Sequence, residues 1–108
     1  MDKYLVNVTE TAFKDLNGIA LYIKNELKEP VIAEKLVARL KKAIFSLDTS
    51  PHRYPLLRDN ALAAQGYRGM FVENYAVFYV VDETGKTVDI SRVLYARRNW
   101  VDLLNTTD

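Results

Sequence analysis

The sequence predicts an α+β fold in two layers, a small antiparallel sheet packed against an N-terminal helical hairpin, in the order β-α-α-β-β-β with a short C-terminal helix. Three observations predict it. Apolar residues recur at helical spacing through residues 13–47, almost no loop separates the two helical stretches, and from Tyr67 onward the composition turns β-branched and aromatic, broken by two tight turns. Neither layer hides its apolar surface alone, so each is expected to bury it against the other. At 108 residues, 49% hydrophobic and 27% charged, the chain is expected to form a single domain over residues 1–108, within the usual range for one hydrophobic core.

The elements follow in order. Met1-Asp2-Lys3 leads into a strand at residues 4–8 rather than into a leader, and no apolar run approaches the roughly 20 residues of a membrane helix. A cytoplasmic protein that meets no membrane is expected. Thr9 or Thr11 caps a helix whose apolar stripe is Phe13, Leu16, Ala20, Ile23 and Leu27. Pro30 suits the first turn of a second helix, where its missing N–H costs nothing, and Ala33, Leu36, Val37, Leu40, Ile44 and Leu47 repeat the period until Ser50-Pro51 stops it. So short a connection makes the two helices antiparallel neighbours, with Lys24, Lys28, Lys35 and Lys42 read as a solvated outer face. Residues 52–59, with prolines at 51 and 55, read as an ordered loop. A three-stranded meander follows: Tyr67–Val72, a turn at Glu73-Asn74, Tyr75–Asp82, a turn at residues 83–86, and Thr87–Tyr95. Its middle strand is apolar at nearly every position, which suits cover on both faces. The sheet face away from the hairpin is expected to be open or partly covered and to present the arginines. Trp100, Leu103 and Leu104 close the chain with a helical turn.

Composition excludes much chemistry. With no cysteine and one histidine, His52, the chain builds no disulfide framework, zinc cluster, thiol nucleophile or histidine-led triad. No set of carboxylates recurs at metal-ligand spacing, so neither metal nor cofactor is expected, and His52 reads as a loop residue. A net charge of +1 does not by itself point to nucleic acid. The distribution says more: lysines crowd the first half, whereas Arg53, Arg58, Arg68, Arg92, Arg97 and Arg98 all follow residue 50. Arginine offers a rigid planar fork for phosphate or carboxylate.

Two stretches carry a family signature. Tyr67-Arg68-Gly69-Met70-Phe71-Val72-Glu73-Asn74-Tyr75-Ala76-Val77-Phe78-Tyr79 and Ile90-Ser91-Arg92-Val93-Leu94-Tyr95-Ala96-Arg97-Arg98-Asn99-Trp100 resemble the RelE/ParE superfamily of bacterial toxins. The likeness runs over nearly the whole chain. It implies the toxin of a type II toxin–antitoxin pair, of the kind linked to growth inhibition and plasmid stabilisation, with a cognate antitoxin as partner. It also implies either of two targets. RelE-like members cut messenger RNA on the ribosome without a metal, and ParE-like members poison DNA gyrase.

Carried over by position, Arg68 matches the first basic residue of the family's second strand and Arg97 the arginine at the end of its last strand. Tyr95 stands where some ribonuclease members carry an aromatic residue or histidine. Met70, Ala76 and Trp100-Val101 depart from the ribonuclease pattern, and losing positioned cations removes transition-state stabilisation, roughly 3–4 kcal/mol for one well-placed donor. The resemblance therefore implies the ParE-like branch, with Arg68, Arg92, Arg97, Arg98 and Trp100 as target- or antitoxin-binding residues. The alternatives are a RelE-like ribonuclease using Arg68, Arg97 and Tyr95, and a degenerate, non-toxic antitoxin-binding member. On the residues alone, Arg92 also reads as a structural arginine paired with Asp82 or Asp89, and Arg97-Arg98 as partners of the Trp100 ring or as a cap of the terminal helix.

Overall fold

The computed structural model describes residues 3–105, so Met1 and Asp2 of the expected leaderless start lie outside it. Strand β1 covers Leu5–Val8 and helix α1 covers Glu10–Leu21. Thr9, not Thr11, is the cap: its hydroxyl accepts the Ala12 N–H at 3.2 Å and satisfies a donor that the first turn leaves free. α1 continues into a five-residue π-helical segment, Tyr22–Glu26, closed by the Leu27 N–H to the Tyr22 carbonyl at 3.2 Å. Lys28 then turns the chain in the left-handed region at φ 56°, and helix α2 begins at Pro30 in the expected first-turn position and runs Pro30–Phe45.

The hairpin buries a stripe that differs from the expected one at its ends, and within it Ala20 and Val37 are only half-buried and outside the core. Ala12, Leu16 and Ile23 are buried, whereas Phe13 and Leu27 are more than half exposed. Two causes act. α1 lies against the sheet through its first turn, where Ala12 is wholly buried, so the contact takes the small residue and the neighbouring Phe13 stays outside. Further on, the wider π turn advances the register and carries Leu27 off the buried face. On α2 the buried residues are Ala33, Leu36, Leu40 and Ile44, followed by Leu47.

The segment read as an ordered loop contains a 3₁₀ turn, Pro51–Arg53, and leads into an additional helix, α3, at Asn60–Ala64. Asp59 caps α3 by accepting the Leu62 N–H at 3.0 Å. Strands β2 (Tyr67–Val72), β3 (Tyr75–Asp82) and β4 (Thr87–Tyr95) form the antiparallel meander, and helix α4 covers Trp100–Asn105. The sheet order is β1-β4-β3-β2. β1 pairs with β4 in parallel, so the sheet is mixed rather than wholly antiparallel. The whole hairpin and most of the meander lie between those two strands in sequence, a connection long enough for a parallel pairing.

Two cores sandwich the sheet. On the hairpin side, Leu16, Leu36, Leu40 and Ile44 meet Met70, Val77, Tyr79, Val88, Ile90 and Val93. On the other side, Leu62 of α3 and Leu104 of α4 meet Ala76, Phe78 and Leu94. β3 is thus covered on both faces, as its composition requires. The far sheet face is not an open platform for arginines, because α3 and α4 roof it. No helix among the described residues is long and apolar enough to cross a membrane.

Candidate docking site

A groove of about 1110 Å³ opens between the hairpin and the end of the sheet where β3 begins and β4 finishes. α1 contributes Asp15, Gly18 and Ile19, the π segment Tyr22, α2 Ile32, Lys35 and Arg39, and the sheet Tyr75, Val93 and Tyr95. At Gly18 an added Cβ would meet nothing within 4 Å, so the glycine leaves the groove wide without any backbone demand. The rings of Tyr75 and Tyr95 meet edge to face, 5.8 Å apart at 68°. The Tyr75 phenol is pushed above its ordinary pKa by burial first, then by the neighbouring phenols of Tyr95 and Tyr22, and it stays neutral at physiological pH. Tyrosines of this kind supply large amphipathic contact surface at low entropy cost.

The charges of the groove sort into spent and unspent. Asp15 is held by Arg92, Glu73 by Arg39, and Lys14 by Glu10 at 3.4 Å. Lys35 and Arg98 are left with no side-chain partner among the described residues, and one carboxylate, Glu29, lines the same groove, also without a side-chain partner among them. An apolar, tyrosine-lined trough with two unspent cations suits a peptide segment that carries acids beside its apolar anchors.

The residues singled out from sequence do not gather in one place. Arg68 donates to the carbonyls of Tyr54 at 2.6 Å and His52 at 3.4 Å, which ties β2 to the turn after α2. Arg53 serves the same turn, donating to the Thr49 and Ser50 carbonyls at 2.8 and 3.1 Å. Arg92 pairs with Asp15 through two bonds, 2.8 and 3.0 Å, and Asp15 also accepts the Val93 N–H at 3.0 Å. The expected partners Asp82 and Asp89 are not used: Asp82 caps the following turn and Asp89 holds Asn7. A bulge in the β3–β4 ladder lies beside Arg92, between Phe78 and Tyr79 on the partner strand, which interrupts the regular alternation of side chains along β4. Trp100 stacks on Phe78 with centroids 5.1 Å apart and belongs to the second core. Arg97 and Arg98 are exposed and carry no side-chain bond among the described residues, and Tyr95 is 39% exposed.

Arg68 lies opposite Tyr79 in register and Tyr95 opposite Tyr75. Four residues of β3 separate these levels, roughly 13 Å at about 3.3 Å per residue. The Arg68 guanidinium is held at the loop end, away from Tyr95 and Arg97. His52 is also engaged: its Nε2 lies 2.7 Å from Glu83, whose carboxylate is held below its ordinary pKa by the Tyr4 hydroxyl first and by Lys86 and His52 as well. Sequence reasoning missed Tyr22, Ile32 and Lys35 as groove residues. The available signal was a second line beside the core stripe of each helix, with Gly18 and Tyr22 on one and Ile32, Lys35 and Arg39 on the other.

Comparison with known proteins adds the following. A family model described as the ParE toxin of type II toxin-antitoxin system, parDE, matches residues 6–100. No curated protein matches the chain. A chain of the toxin-antitoxin complex RelBE2 from Mycobacterium tuberculosis is 26% identical, with a TM-score of 0.63 over 86% of this chain and 98% of that one. A chain of the chromosomal ParDE system from P. aeruginosa is 19% identical, with a TM-score of 0.73 over 88% and 98%. A mutant of the E. coli toxin RelE in the free state is 16% identical, with a TM-score of 0.67 over 97% and 99%. The last two likenesses are of fold.

Proposed function

The chain belongs to the ParE toxin family of type II toxin–antitoxin systems, within the RelE/ParE superfamily, and from that premise we infer that it inhibits growth by binding a target such as DNA gyrase and is silenced by a cognate antitoxin seated in the sheet-facing groove. The observation that carries the binding mode is the dispersal of the cations. Arg68 is spent on loop carbonyls, Arg92 is spent on Asp15, and the free Arg97 and Arg98 stand at the other end of the sheet. Positioned, convergent charge is what a metal-independent phosphodiester cleavage requires. A binding toxin has no such need. The antitoxin segment supported by the groove brings apolar anchors to Tyr22, Tyr75 and Tyr95 and acids to Lys35 and Arg98.

Gly18 supplies the test. Gly18→Phe places a ring in open groove space and replaces a poor helix former, so the fold is expected to keep its melting temperature. Co-expressed with the product of the adjacent gene, the parent chain should give a complex that survives size-exclusion chromatography, and Gly18→Phe should elute alone. The target is read separately, with gyrase and relaxed plasmid in one arm and programmed ribosomes with a defined messenger in the other. Gyrase-dependent DNA breaks without messenger cuts are expected. Strong cuts that vanish in Arg97→Ala would install the RelE-like ribonuclease instead, and neither activity alongside a normal complex would mark a non-toxic antitoxin-binding member.

A further inference from the structure

A second groove, of about 810 Å³, runs along the hairpin on a separate set of residues. None of its lining residues is shared with the sheet-facing groove. Ala20, Ala33 and Ala38 keep it shallow and smooth, while Leu21 and Val37 supply apolar surface. Leu21 is 56% exposed, and neither it nor Val37 belongs to either core. Phe13 on α1 and Phe45 on α2 lie outside the groove lining, and both are exposed and outside the cores. The tertiary fold therefore leaves the apolar surface of Leu21 and Val37 uncovered.

The charges in the groove choose its occupant. Lys24 and Lys41 line it with no partner among the described residues, against the single carboxylate of Glu34. Two lysines against one carboxylate leave the groove net positive, so acidic flanks complement it better than a second copy of the same face or a basic helix would. We propose that the outer groove of the hairpin is a docking site for an amphipathic helix with acidic flanks, presented by a partner protein and bound independently of the sheet-facing groove. Small residues between two antiparallel helices let the ridge of a third helix settle between them, and acids on its flanks then reach Lys24 and Lys41. Lys24, read from sequence as solvating cover, acquires a role here beside Lys41. The proposal does not depend on whether gyrase or the ribosome is the target.

The probe is a designed, fluorescein-labelled 18-residue helix with a leucine ridge and glutamate flanks, beside a twin in which lysine replaces each glutamate. The acidic helix should bind the full chain with a dissociation constant on the order of 10 μM, and its basic twin roughly tenfold more weakly. Lys24→Glu with Lys41→Glu should reverse that preference. Ala38→Trp, which fills the groove from an exposed position, should abolish binding without lowering the melting temperature; if it unfolds the chain, the charge-reversal pair decides alone. Amide shifts should centre on Ala20 and Ala38 and persist in Gly18→Phe. Three results would overturn the proposal: no binding below about 1 mM, shifts centred on Tyr22, Tyr75 and Tyr95, or a dimer of the chain alone in analytical ultracentrifugation that Ala38→Trp dissolves.

Discussion

At the scale of single residues, the turn after α2 is held by side chains that look from sequence like surface or site residues. Ser50 adopts a left-handed φ of 48°, a conformation that costs a non-glycine residue energy, and Arg53, Arg68 and Tyr79 compensate by bonding the carbonyls around it. Tyr79 is wholly buried, and its hydroxyl donates to the Pro51 carbonyl at 2.7 Å. Tyr79→Phe leaves that carbonyl without its donor and should cost about 1–3 kcal/mol in urea unfolding. The same phenol gives an alkaline signature. Burial pushes its pKa up from 10.0 to about 12, against the opposing pull of Arg68 and Arg53. The stabilisation it carries is complete below pH 10, the value in the unfolded chain, and is lost as pH rises through 12. Unfolding curves of parent and Tyr79→Phe should therefore converge between pH 10 and 12, and curves that stay parallel through that window would contradict the assignment.

At the scale of elements, β4 shows how a sheet edge is closed without another strand. β1 stops at the Val8–Ile90 pair, and beyond it the Asp15 carboxylate from α1 takes over, accepting the Val93 N–H while gripping Arg92. Asp15→Ala removes both functions and leaves a guanidinium only 16% exposed without its anion. The expected loss is about 3 kcal/mol by chemical denaturation, with Asp15→Asn losing less because it can still accept from Val93. A loss under 0.5 kcal/mol would mean that water replaces the carboxylate freely. This pair also marks how far the sequence was legible. The meander, the hairpin and their order follow from period and composition, and Pro30 and Thr9 sit where local sterics put them. The partner of Arg92 is 77 residues away, on the far side of a bulge that no periodicity announces. α3 has five residues, too few to show a helical period, and only the capping pattern of Asp59 and Leu62 betrays it. The grooves were invisible for a related reason: they are lined by residues beside each buried stripe, and only the relative placement of two helices and a sheet brings those lines together.

At the scale of the whole molecule, the two cores are unequal. The hairpin side joins two long helices to all four strands, whereas the other side rests on short α3 and α4 around Phe78. α4 is anchored there by Leu104 and by the chain's single tryptophan. Elements with few buried contacts open below the global unfolding free energy. Trp100 fluorescence should therefore report α4 release at lower urea than the helical circular dichroism signal, and amides of α4 should exchange faster than those of β3. Coincident transitions and uniform protection would show instead that the roof and the sheet unfold together. The placement of β1 reaches further still. Asn7 of β1 bonds Asp89 of β4 across 82 residues of chain, so β1 waits for β4 before it has a neighbour to join. Synthesis at about 5–20 residues per second leaves it waiting roughly 4–16 s. During that interval the hairpin has been made and the sheet that should receive it has not. The sheet-facing groove, walled by β3 and β4 as well as by the hairpin, lacks its final form until β4 has been made, which gives a newly made chain a delay before that groove is competent to bind anything.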